Sequence, residues 1–259
     1  MICSKKPQMV LFCSKYSLRI MKKILLLSIS LFTITAVFAQ LYSAKGYYKS
    51  GLDLKSRNMF LEAMAAFKKA ITLDKKFDSA YLEMGTIYAK TTRPDSAVWY
   101  YNKAISISPS MATAHIALGN YYRDSKPNYD SALICYNNAL KTDSLNKVTY
   151  YSIAWCYNAR GEHDKAIPYA VRSLDLDNNY RPAYGELGHA YRRTGKFKEG
   201  IEQFQKNLAI SVVDVAILYS GFCYTELNDK EGAMRQYEEL KKVNEKMAAS
   251  LKKKIDTMK

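Results

Sequence analysis

The sequence predicts an all-α solenoid, a row of stacked helix pairs rather than one globular core. Three observations carry that reading. First, a small residue recurs about every 34 positions, at Gly51, Gly85, Gly119, Ala154, Gly188 and Gly221. A second follows each by about twelve, at Ala63, Ala97, Ala132, Ala166, Gly200 and Ala233. A period of this size belongs to units that each leave an apolar face open until a neighbour covers it. Second, the large side chains around those small ones fall at helical spacing. Third, breakers separate the helices: Gly161 and Gly195 at turns, Pro94 near a helix start and Pro109 after a helix end.

The first 39 residues stand apart, with six basic side chains and no acid. From Met21 they read as two lysines, an apolar stretch from Ile24, then Val37-Phe38-Ala39 before Gln40. That is the layout of a secretory signal over 21–39, with cleavage expected between Ala39 and Gln40. The apolar stretch is shorter than the roughly 20 residues a membrane span needs. Met21 is the better start, so 1–20 reads as a mis-assigned beginning or an extended leader. Residues 40–43 form a short lead-in.

Six units follow, spanning 44–77, 78–111, 112–146, 147–180, 181–213 and 214–244. Numbering each from its own first residue, position 4 reads Tyr47, Tyr81, His115, Tyr150, Tyr184 and Ile217. Position 11 reads Leu54, Tyr88, Tyr122, Tyr157, Tyr191 and Tyr224. An extra residue in the third unit's turn shifts its later positions by one. With that shift, position 24 reads Phe67, Tyr101, Tyr136, Ala170, Phe204 and Tyr237. Positions 4, 7 and 11 share one face of a first helix, and 20, 24 and 27 one face of a second. Small residues at positions 8 and 20 let the two helices approach. Residues 245–259, with Met247, Leu251 and Ile255 on one side and Lys252-Lys253-Lys254 exposed to water, read as a helix capping the last apolar face.

This pattern resembles the tetratricopeptide repeat family, over residues 44–244. The resemblance implies a right-handed superhelix whose first helices line a concave groove, with positions 2, 5, 9 and 12 facing inward. Carried onto this chain, the groove residues are Tyr48, Leu82, Ile116, Asn120, Arg123, Tyr151, Trp155, Asn158, His189, Arg192, Leu218 and Phe222. An inward wall holding Tyr151, Trp155 and Phe222 is apolar for a wetted surface, and such surface marks contact sites. Asn120, Arg123, Asn158 and Arg192 are suited to hold a peptide backbone or an acidic group. The basic and asparagine clamp by which some relatives hold chaperone tails is not matched, because Tyr48 and Leu52 stand at its first-unit places. Pro168, Ala170, Ser173, Gly200 and Asn207 depart from the family pattern. The fourth and fifth units are therefore expected to be the softest.

Nothing in the sequence assembles a reaction centre, so no enzyme and no cofactor is expected. His115 falls at a packing position, His163 in a turn and His189 two units away, with no metal-binding motif among them. The acids Asp95, Asp130 and Asp164 sit near second-helix starts, where they complement the helix dipole. The whole chain carries a net +15, and 40–259 alone holds 33 basic against 24 acidic residues. For an exported chain, lipid headgroups, polysaccharides and acidic protein segments fit that charge better than nucleic acid. Beyond 1–39 there are three cysteines, Cys135, Cys156 and Cys223, each in an apolar helical stretch, and a Cys135–Cys156 bridge is conceivable. The function expected is an exported scaffold, periplasmic or envelope-associated, that binds a protein or peptide partner. Self-association, or a membrane-anchored sensor module if 21–39 is retained, is the alternative.

Overall fold

The computed structural model describes residues 42–91, 94–125 and 127–258; the leader, its cleavage point and the choice of start fall outside them. The described residues hold thirteen helices and no strand. The chain begins with the antiparallel pair α1 Ala44–Ser56 and α2 Phe60–Leu73, followed by α3 Asp78–Lys90, α4 Pro94–Ile107 and the pair α5 Ala112–Asp124 with α6 Tyr129–Leu140. The series continues with α7 Lys147–Ala159 and α8 His163–Leu176, α9 Arg181–Arg193 and α10 Phe197–Ile210, then α11 Asp214–Glu226 and α12 Lys230–Val243. A single helix, α13 Glu245–Ile255, follows. The chain divides into two compact units at Ile87, within α3.

Local chemistry sets the helix ends. The side chains of Ser43, Asn128, Asn146, Asp229 and Asn244 each accept a hydrogen bond from a first-turn backbone N–H. These caps satisfy donors that the helix itself leaves unused. Between the two helices of a pair, the tight turn needs a left-handed residue. Gly161 and Gly195 supply it at φ of 79° and 80°, and Asn58 and Asn228 at 59° and 57°.

In the first, third and fifth pairs, the position-8 glycine receives the position-24 ring. A methyl on Gly119 would lie 2.6 Å from Tyr136, and one on Gly188 2.7 Å from Phe204. The fourth pair makes the reciprocal change: Ala154 adds the methyl and Ala170 removes the ring, and both are fully buried. Pro168 lies in the early part of α8, which continues unbroken to Leu176. Its missing N–H removes one bond and leaves the rest of the helix intact.

In the second unit the first helices of successive pairs touch, α7 with α9 and α9 with α11. At the far end, α13 buries Ala248, Leu251 and Ile255 against Ile217, Ala233 and Leu240. Leu251 occupies the space that a side chain at position 221 would need. Cys135, Cys156 and Cys223 are buried free thiols, so the conceivable Cys135–Cys156 bridge is absent. Burial pushes the Cys135 thiol up to about 11 and those of Cys156 and Cys223 to about 12. No helix among the described residues is long and apolar enough to cross a membrane.

Candidate partner-binding face

The first unit holds two of the candidate residues. Tyr48 is half-buried, its ring 5.7 Å from Phe67 and edge-on to Phe77 at 4.9 Å. Leu82 is also half-buried. Beside them Lys55, at position 12 of the first repeat, pairs with Glu83, at position 6 of the next.

In the second unit the same 12-to-6 link recurs. Arg123 donates from Nη1 to the Ser152 hydroxyl at 3.1 Å. Asn158 donates from Nδ2 to the backbone oxygen of Glu186 at 3.0 Å and to its carboxylate at 2.8 Å. Arg192 lies over the Tyr219 ring at 4.6 Å. These side chains therefore clasp each first helix to the next. The arrangement is legible only by comparing residues 27 to 29 apart along the chain.

The clasps change what the polar candidates have to offer. Arg123 also grips the Asp124 carboxylate through Nε at 2.6 Å and Nη2 at 2.8 Å. Asn120 accepts from the Tyr136 hydroxyl at 2.7 Å. Asn158 is buried, and its oxygen lies 3.1 Å from His163 Nδ1. Arg193 Nε donates to His163 Nε2 at 3.2 Å. An arginine only donates and an amide oxygen only accepts, so His163 carries its proton on Nδ1.

The aromatic candidates are half-buried and each has an aromatic neighbour. Tyr151 meets Tyr180 edge-on at 5.7 Å, and Trp155 meets Tyr129 edge-on at 5.7 Å with Arg123 5.6 Å over its ring. His189 stacks on His163 at 5.5 Å and meets Tyr219 edge-on at 5.7 Å. The turn expected at His163 is instead the first residue of α8, which brings that ring to His189. Phe222 lies beneath Lys254 at 5.4 Å. Leu218 and Phe222 pack against the cluster that α13 closes, and Ile116 is half-buried on α5. Sequence reasoning missed Tyr129, Tyr180, Tyr219, His163 and Glu186, which complete this face from other positions of the repeat.

Burial and charge tune the titrating groups here. Burial pushes Tyr151 up to about 12, with Glu186 adding to the effect and Arg123 opposing it. Burial also raises Glu186, while the Asn158 hydrogen bond and Arg123 pull it back. His189 falls to about 4, first through burial and then through the charge of Arg192, His163 and Arg193. His163 is lowered by burial, Arg193 and Arg192, against Asp164. Both imidazoles are thus held neutral. Among the described residues no group of three or more His, Cys, Asp or Glu gathers as a metal site.

Comparison with known proteins agrees with this architecture. Models of the tetratricopeptide repeat match residues 78–111, 148–180, 182–211 and 215–244. The protein O-mannosyl-transferase Tmtc3 of Drosophila melanogaster is 31% identical over 144 residues, 56% of this chain but 15% of that protein. Across eight of the relatives it matches, the chain spans between 13% and 36% of their lengths. Two solved structures match most of the chain at low identity. YrrB, described as a TPR protein with an unusual peptide-binding site, superposes with a TM-score of 0.65 at 23% identity, covering 73% of this chain and 98% of that one. PilF of Pseudomonas aeruginosa superposes with a TM-score of 0.70 at 16% identity, covering 81% and 96%. The 34-residue period, the helix pairs and these matches lead to one conclusion: the chain carries tetratricopeptide repeats, and its described helices form an all-α solenoid of that kind.

Proposed function

We propose that the chain is an exported, non-enzymatic scaffold that grips an extended peptide or a partner helix on the face around Tyr151 and Trp155. One observation carries the reading: these two rings are half-buried yet still reach solvent beside the Arg123 and Glu186 clasps. Rigid aromatic anchors of this kind dominate binding energy at protein interfaces. The tetratricopeptide solenoid is a scaffold suited to that task, and the peptide-binding site ascribed to YrrB is of the same class. Export to the periplasm or envelope rests on the signal-like pattern of 21–39. Sequencing the mature N-terminus tests it: a chain beginning at Gln40 is the expected result, and a retained 21–39 would favour the anchored sensor module.

The partner face is tested by Trp155→Ala combined with Tyr151→Ala. Binding of envelope partners is expected to weaken at least about tenfold, while helicity by circular dichroism stays unchanged. Undiminished binding would move the site elsewhere. Self-association is the second reading, favoured by the exposed Ile210, Val212, Val215 and Val243 around the α10–α11 turn and the end of α12. Light scattering of the protein alone distinguishes it by showing an oligomer.

A further inference from the structure

We infer that Arg192 is a seat for a carboxylate, so that the segment held on this face is an acidic peptide. The inference rests on the reading of the face as a peptide-binding one and adds the chemistry of what binds. Its starting point is a comparison among cations that lie over aromatic rings. Arg123 has Asp124, Lys147 has Asp177 and Lys254 has Glu226 as counter-charges. Lys69, Arg172, Lys196 and Lys241 also lie over rings with no ion pair, but they are exposed; Arg192 is half-buried, its side chain makes no ion pair and no hydrogen bond among the described residues, and its buried Nε has no partner.

Its geometry is nevertheless fixed. The guanidinium lies over Tyr219, whose ring meets His189 edge-on and lies 6.4 Å from Phe222. A ring beneath a guanidinium steadies it without cancelling its charge. The titrating groups that feel the Arg192 charge add no negative charge: His189 and His163 are neutral, and the Cys223 thiol keeps its proton. Arg193 contributes a second positive charge next to the pair. A planar fork over aromatic walls is the partner of a planar carboxylate, which it binds through two parallel hydrogen bonds. A phosphate dianion calls for more donors than one arginine and two neutral imidazoles offer. The carboxylate belongs either to an Asp or Glu side chain or to a chain terminus, and the two sources are separable.

The test uses the full chain with Trp99→Phe, which leaves Trp155 as the single fluorescent indole of the two tryptophans. Four probes are titrated: N-acetylphenylalanine, N-acetylaspartyl-phenylalaninamide, N-acetylphenylalaninamide and inorganic phosphate. Trp155 fluorescence and the ring resonances of His189 are followed. At least one carboxylate probe is expected to bind about tenfold more tightly than the neutral amide and to raise the His189 pKa, because a bound anion offsets Arg192. The tighter of the two carboxylates identifies the source. Arg192→Gln is expected to erase the preference, and Arg192→Lys to keep part of it. Melting curves show whether each variant is folded, and the His189 shift in the parent protein stands independently of them. Equal binding of acid and amide, a preference surviving Arg192→Gln, or phosphate binding more tightly than either carboxylate would each overturn the seat. If Trp155 answers equally to acid and amide, the seat fails and the peptide face stands. Silence of both reporters to all four probes sinks the two together.

Discussion

At Gly119 a hydrogen in place of a methyl decides where Tyr136 can lie. The ring is fully buried and its hydroxyl is tied to Asn120, so it has nowhere to retreat. Alanine in a helix interior gains up to about 1 kcal/mol over glycine, while forcing a methyl into a filled space costs about 1–3 kcal/mol. Overpacking wins at a 2.6 Å approach to an immobile ring. Gly119→Ala is therefore expected to lose about 1–2 kcal/mol of stability in chemical denaturation. In a Tyr136→Ala background the same change is expected to be neutral or stabilising, since the space is then free. The fourth pair already carries that combination as Ala154 with Ala170, so the coupling is visible within the chain itself.

Among the elements, the helix pairs were legible because each obeys a short-range rule: a small residue, rings at 3.6-residue spacing, a glycine or asparagine at the turn. The contacts of the candidate face were not. The place of Trp155 in the repeat assigns it to the expected groove, but its edge-on partner Tyr129 lies on a second helix of the preceding pair. The use of Asn158 by Glu186 depends on how far one first helix slides along the next, which a single repeat does not encode. The same gap hid the stacking of His163 on His189. The expected softness of the fourth unit gains a physical basis in α8, whose buried residues are the small Ala166, Ala170 and Ser173, whereas α10 of the fifth unit buries Ile201 and Phe204. Likewise α6 buries Tyr136 and Leu133. Native-state hydrogen exchange is expected to show α8 opening at least about tenfold more readily than α6. Equal protection of the two helices would contradict this.

For the molecule as a whole, stability is a sum over neighbouring pairs rather than over one core. Cys135, Cys156 and Cys223 lie in different pairs, so their reactivity samples the array at three places. Their thiols are buried and hold their protons far above neutral pH, and the thiolate is the reactive form. At pH 7 these three are expected to resist alkylation in the native protein by at least about a hundredfold relative to the denatured chain, as read by mass spectrometry. Fast labelling of Cys156 alone would locate a local opening at the fourth pair.

The 12-to-6 clasps have a mechanical meaning. Arg123–Ser152, Asn158–Glu186 and Arg192–Tyr219 each fix the angle between two adjoining first helices, on the surface where a guest would lie. A guest that competes for one of these groups loosens that hinge, and a guest that bridges two helices stiffens it. By reciprocity, anything that bends the hinge alters the guest's grip by an equal free energy. On the proposed reading, the stiffness of these hinges and the hold on a guest are therefore coupled, so that each can be read through the other.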